Sequence, residues 1–174
     1  MPDAVTHILV PMLLVAIYRD YFVKDKKKFP LYYVFFAGLA GALPDADVFL
    51  FLILSFKGYT YEDVHQTYSH SIFVPIIFLA IALLTLKAKP FKIKKLEFRA
   101  SILFFLLSFS FFSHLLLDFI FTGVRMFYPD QTSYGPKLIM LAPRSWRGTL
   151  TSLLDAIFLV IWIVYEEFKR KKNF

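Results

Sequence analysis

ASILFFLLSFSFFSHLLLDFIF, residues 100–121, is an apolar run of 22 residues whose only ionisable groups are His114 and Asp118. A helix needs about 20 apolar residues to cross the hydrocarbon of a bilayer, so this run reads as a membrane span with two polar groups inside it. Similar runs occupy residues 4–18, 31–56, 71–86 and 150–165. Hydrophobic residues make up 58% of the 174, and 22 are phenylalanine, more apolar surface than a soluble core of this length buries. The expectation is one all-α domain over residues 1–174, a polytopic membrane bundle of about five helices. Asp3 is placed to cap the first helix and Pro30 to open the second. Within the second run, GLAGALPD (residues 38–45) carries Pro44, which lacks a backbone donor and clashes with the preceding turn, so a helix break is expected at Leu43–Asp47.

The net charge of +7 raises the question of a nucleic-acid partner. Placement answers it. Of the 20 Lys and Arg residues, fifteen fall in three clusters: Arg19 with Lys24 and Lys26–Lys28, Lys87 to Arg99, and Lys169–Lys172. These are alternate connections of a five-span chain, the asymmetry that keeps basic loops on the cytoplasmic side. The N-terminus is then expected outside and the C-terminus in the cytoplasm, with the clusters facing anionic lipid heads and no nucleic acid required. The first run lacks a basic start and a small-residue cleavage pattern, so it is expected to stay attached. The chain has no cysteine, which limits any metal site to nitrogen and oxygen ligands.

All four histidines stand with aspartates at the edges of the apolar runs. His7 opens the first, Asp45 and Asp47 stand at the break, HQTYSHS (residues 65–71) precedes the third, and His114 with Asp118 lies in the fourth. His114 and Asp118, four apart on a helix, project from one face about one turn apart and can chelate an ion or simply hydrogen-bond. His65 and His70, five apart, cannot share a face of one regular helix, so one belongs to the loop and the other to the helix start. Counted from Leu31 and from Ala100, Asp45 and His114 both lie about 21 Å along their helices. All seven groups therefore converge on the outer half of the domain. Carboxylates near hydrocarbon require a counter-charge, and no Lys or Arg adjoins them in sequence. One or two divalent cations meet that need, with four imidazoles and three carboxylates suiting Zn²⁺ first and Mn²⁺ or Fe²⁺ next.

The order of THxxxP (Thr6 to Pro11), LPDxD (Leu43 to Asp47), HxxxSHS (His65 to Ser71) and HxxLD followed by Thr122-Gly123 resembles the YdjM-like family of membrane-bound metal-dependent hydrolases. The likeness covers residues 6–129. Gln66 stands where an arginine is usual in that family, and Ser69 where a threonine is. The resemblance implies a metal-dependent hydrolase with His7, Asp45, Asp47, His65, His70, His114 and Asp118 as ligand positions. A further likeness, to all-helical zinc phospholipase C and nuclease folds with an HxxxD pair, points to phosphoesters. The expected reaction is hydrolysis of a phosphoester or ester of a lipid-like membrane substrate by metal-activated water, with Asp47 or Asp45 as base. Arg125, Arg144 and Arg147, with Lys137, lie in the long connection before the last helix and are candidates to bind a phosphate. The alternatives are a metal or proton transporter, since intramembrane His and Asp also mark ion paths, and a scaffold with a structural metal.

Overall fold

The computed structural model describes residues 4–172; the expected cap Asp3 lies outside the described residues. Among the described residues seven α-helices follow one another: α1 (Ala4–Tyr21), α2 (Tyr32–Gly41), α3 (Asp47–Leu54), α4 (Tyr61–Val64), α5 (Phe73–Leu84), α6 (Ala100–Phe121) and α7 (Arg144–Lys172). A two-stranded antiparallel hairpin, β1 (Phe91–Ile93) and β2 (Leu96–Phe98), interrupts the second basic connection, with Phe91 opposite Phe98. The architecture is all-α in its essentials. The five apolar runs are all helical, yet they are not five equal spans. Among the described residues α1, α6 and α7 are long and apolar enough to cross a membrane, and α2 joined to the segment after it makes a fourth only if a pair bent by 54° counts as one span. The third run gives α5, whose 12 residues extend about 18 Å, well short of a hydrocarbon layer of about 30 Å.

The break falls where the proline placed it. α2 ends at Gly41, a 3-10 turn covers Pro44–Ala46, and α3 starts at Asp47. Before the break, α2 packs between α1 and α6, and Leu9, Met12, Val15, Tyr33, Val34, Ala37 and Leu106 form the buried core. Gly41 permits the closest approach: a Cβ there would lie 2.1 Å from the His7 carbonyl oxygen and 2.7 Å from Pro11. Gly38 similarly faces Met12. Gly41 is therefore what lets α1 and α2 touch backbone to backbone at the level of His7, while Gly38 leaves room for the Met12 and Ile8 side chains.

Beyond the break, none of the residues of α3 is buried. Its exposed Phe49, Leu50, Leu52 and Ile53 suit a helix lying against lipid. α4 follows it, with Thr60 and Asp63 forming a reciprocal capping box, so Asp63 is a helix cap as well as an exposed residue.

α7 is fastened to α1 at two levels. Near the start of α1, the Thr6 backbone N–H and hydroxyl both donate to Asp155 Oδ1, at 2.8 and 2.5 Å. Near its end, Asp20 accepts from Tyr165 at 2.8 Å and pairs with Lys169 at 3.1 Å and Arg19 at 2.7 Å. Asp155, whose place inside an apolar helix has no local explanation, thus satisfies one of the unpaired N–H groups of the first turn of α1. Tyr32 and Tyr33 tie the hairpin to α2, through the Glu97 carbonyl and the Arg99 N–H respectively.

The chain runs up and down so that the two ends of the bundle differ chemically. Where α1 begins, α2 ends, α5 begins and α6 ends stand the histidines and aspartates. At the opposite end lie the basic clusters. The connection after α6 is ordered. Thr122 and Gly123 N–H groups both close on the Asp118 carbonyl, with Gly123 at φ +86° as the left-handed stop, and Val124 then pairs with Tyr134.

Candidate metal centre

His114 and Asp118 meet as their spacing requires, with Nε2 3.4 Å from Oδ2. The other elements bring their groups to the same point. α1 presents His7, whose ring stacks on His114 at 3.7 Å between centroids and whose Nε2 lies 3.5 Å from Asp118 Oδ1. The 3-10 turn after α2 presents Asp45, with Oδ1 3.6 Å from His114 Nε2 and 3.4 Å from His70 Nε2. His70 closes the ring: its Nε2 is 3.2 Å from His114 Nε2 and 3.7 Å from Asp118 Oδ2. It ends a 3-10 turn just ahead of α5, while His65 follows α4 in extended backbone, one in the loop and the other at the helix start.

Tautomers follow from the partners of the far ring nitrogens. His114 Nδ1 lies 2.8 Å from the Gly41 carbonyl, which can only accept, so this nitrogen carries the proton and Nε2 turns a lone pair inward. His65 Nδ1 lies 3.0 and 3.1 Å from the two Asp47 oxygens and donates to them. Ser69 Oγ donates to Asp47 Oδ2 at 3.0 Å and stands 3.0 Å from His70 Nδ1, whose N–H it accepts. His70 Nε2 is then also unprotonated. Two lone pairs 3.2 Å apart repel unless something cationic lies between them or beside them.

The carboxylates sharpen the same demand. Asp118 is fully buried, Asp45 is 26% exposed, and Asp118 Oδ1 and Oδ2, Asp45 Oδ1 and both nitrogens of His7 are buried with no hydrogen-bond partner. Leaving such acceptors unpaired is costly in a low-dielectric interior. Imidazole nitrogens and carboxylate oxygens converging in this way fit a divalent transition ion. Two adjacent triads have the right spacing, His7 with His114 and Asp118, and Asp45 with His65 and His70.

Asp47 takes a different place from the other six expected ligands. Its oxygens accept from His65, Ser69 and the Gln66 backbone N–H, and they approach His70 only at Nδ1, 3.5 Å away on the side of the ring turned from the cluster. It stands behind the imidazoles and orients them, the role that outer carboxylates take toward ligating histidines. Gln66, at φ +56°, donates from Nε2 to the Gly123 carbonyl at 3.4 Å, joining the HQTYSHS segment to the end of α6.

Tyr61 stacks on His65 with 4.6 Å between centroids and touches Phe51 edge-on, so α3 and α4 cover one side of the centre. Burial, followed by the charges of Asp47, Asp45 and Asp118, pushes the Tyr61 phenol up to about 12. Arg125 donates to the Glu62 carbonyl at 3.2 Å and so braces α4. Arg147 already donates to the Ala142 and Met140 carbonyls of its own connection, and Arg144 is exposed at the start of α7. Lys137 packs its side chain over Gly123. Tyr61, Gly41 and Asp155 are the supporting residues that sequence reasoning missed. HQTYSHS advertises Ser69, but nothing local joins Thr6 to Asp155, 149 positions apart.

The model of the family described as YdjM inner membrane protein matches residues 1–173. No curated protein and no solved structure matches the chain.

Proposed function

The chain belongs to the YdjM inner membrane protein family, and from that premise we propose that it is a membrane-embedded metal-dependent hydrolase acting on a phosphoester or ester of a lipid-like substrate. The observation that carries the metal is the set of buried groups without hydrogen-bond partners, both Asp118 oxygens, Asp45 Oδ1 and both His7 nitrogens, beside the facing Nε2 atoms of His70 and His114. His7, Asp45, His70, His114 and Asp118 are the direct ligands in this reading, His65 joins them in the second triad, and Zn²⁺ is the first candidate in one or two copies. Such an ion, when bound, supplies Lewis acidity toward a phosphoryl or carbonyl oxygen and lowers the pKa of water.

The protein's own groups divide the remaining work. Asp45, at the mouth and alone among the ligand carboxylates in reaching solvent, is placed to accept a proton from an incoming water. Asp47 is a positioning residue: through His65 Nδ1 and Ser69 it holds two rings with their Nε2 atoms directed at the centre. Arg125, fixed on the segment that carries His65, is the best placed of the arginines to meet a phosphate. α3, apolar and exposed beside the break, offers a lipid substrate a greasy flank next to the polar centre. The proposed orientation has the N-terminus and the centre toward the outer face and the basic end in the cytoplasm.

The test is metal analysis of purified protein together with hydrolysis of bis(p-nitrophenyl) phosphate and of p-nitrophenyl esters, on wild type and His114→Ala. Wild type should carry metal and turn over one of the two substrate classes, and the variant should lose both properties. Metal content in His114→Ala equal to that of wild type refutes the site. A metal-loaded wild type inert toward a panel of phosphoesters and esters refutes the hydrolase.

A further inference from the structure

At the opposite end of the bundle, two cavities of contrasting chemistry lie side by side. The first, of about 620 Å³, is an open hollow between α1, α5 and α6, lined almost wholly by apolar side chains, among them Leu14, Tyr18, Phe29, Leu83 and Phe105. It is within the size range of ligand pockets. The second, of about 310 Å³, is lined by Lys27, Lys28, Lys95 and Arg99, with Glu97 as the one carboxylate. Lys92 approaches that carboxylate at 3.9 Å, so the pocket keeps an excess of positive charge.

The cavities adjoin at two places in the chain. Phe29 lines the apolar one while Lys28 and Pro30 line the basic one, and Ser101 lines the apolar one while Arg99 lines the basic one. Phe29 is the partition, its ring 6.0 Å from Tyr18 on one side and 5.1 Å from Tyr33 on the other. A third apolar hollow shares Phe105 and Phe109 with the large cavity and continues toward Ile72. On α5, Ala82 and Leu83 line the large cavity, and Pro75, Ile76 and Leu79 line the third hollow.

An apolar cavity that ends beside a cluster of cations matches one kind of molecule. We propose that this end of the bundle holds an anionic glycerophospholipid of the adjoining leaflet, one acyl chain in the α1–α5–α6 cavity and the phosphate headgroup among Lys27, Lys28, Lys95 and Arg99. The site is separate from the metal centre and does not rest on the hydrolase reading. Charge complementarity selects the occupant: a zwitterionic lipid would fill the apolar cavity equally well but would bring its own cation to the basic pocket. Lysines close to a membrane surface attract anionic lipid with about fivefold in affinity each.

The experiment measures lipid retained by the intact protein, by native mass spectrometry, after exchange into detergent micelles containing equal dioleoyl phosphatidylglycerol and dioleoyl phosphatidylcholine. Wild type should retain phosphatidylglycerol selectively. The double variant Lys27→Gln/Lys95→Gln, altered at exposed positions, should lose roughly 20- to 30-fold of that preference, while Leu83→Trp, which fills the cavity, should reduce retention of both lipids. Equal retention of the two lipids by wild type would mean annular lipid only and would overturn the proposal. So would undiminished selectivity in the double variant. Inorganic phosphate alone is the remaining arm: if it displaces phosphatidylglycerol at millimolar concentration, the basic pocket serves free phosphate and the lipid assignment fails.

Discussion

Replacing Gly41 by alanine adds one methyl group at the point where α1 and α2 touch, 2.1 Å from the His7 carbonyl oxygen. Ordinary contact begins near 3.4 Å, so one partner has to retreat by about an ångström or more. The atom that is struck is backbone, and Pro11 crowds the same methyl at 2.7 Å; no flexible side chain can swing aside. α1 therefore moves as a unit and takes the His7 imidazole with it. Gly41 also supplies the carbonyl that fixes the His114 tautomer, so displacement of its backbone reaches a second ligand. Overpacking of this kind costs about 1–3 kcal/mol of stability. The effect on the metal should be larger in relative terms, because ligand distances tolerate only about 0.2 Å, and loss of orientation at a ligating histidine lowers affinity about 10- to 100-fold. The assay is competitive chelator titration of Zn²⁺ on detergent-solubilised Gly41→Ala, with thermal unfolding of the same sample. Gly148→Ala is the control, since its Cβ would meet nothing within 4 Å. Zinc affinity in Gly41→Ala equal to that of Gly148→Ala would refute the reasoning, because it would mean that His7 and His114 do not hold the ion.

Asp45→Asn and Asp47→Asn should separate. The first should lose stoichiometric metal in elemental analysis, and the second should keep stoichiometry but bind about 10- to 100-fold more weakly in the chelator titration. Asp155→Ala removes both bonds to Thr6 and should lower stability by about 1–3 kcal/mol in thermal or denaturant unfolding, with metal stoichiometry retained. Chelation of wild type leaves the buried carboxylates without a counter-charge. It should lower the unfolding midpoint, reversibly on adding zinc, by an amount equivalent to about 2.7 kcal/mol when free zinc had stood at about 100 times its Kd. Tyr61, held high in part by the charges of Asp47, Asp45 and Asp118, should titrate at lower pH once a bound cation offsets them. The difference in ultraviolet absorbance between wild type and Tyr61→Phe, with and without zinc, measures that shift.

The readable part of this molecule was the part with a local signal. A membrane bundle follows from the apolar runs, and the break at Pro44 follows from a missing N–H. Convergence of His7, Asp45, His70, His114 and Asp118 follows from an up-and-down chain in which each sits near the same end of its helix. Span lengths were harder to read. Apolarity does not distinguish α5, which stops at Leu84 after about 18 Å, from a helix that crosses, nor α3, which bends away beside the centre, from a continuation of α2. The division of roles between Asp45 and Asp47 was also hidden. The two are neighbours in one turn, and only the folded arrangement of His65 and Ser69 shows that they claim Asp47 and leave Asp45 Oδ1 unpartnered. Asp155 illustrates the same limit at long range, since its partner is brought by tertiary packing alone.

An anomalous difference map collected at the zinc absorption edge from crystals of the zinc-loaded protein would show whether the converging imidazoles and carboxylates hold an ion. The expected result is a peak within bonding distance of ligand atoms drawn from His7, Asp45, His70, His114 and Asp118. A zinc-loaded protein whose only peaks lie elsewhere, with those five side chains turned away from one another, would contradict it.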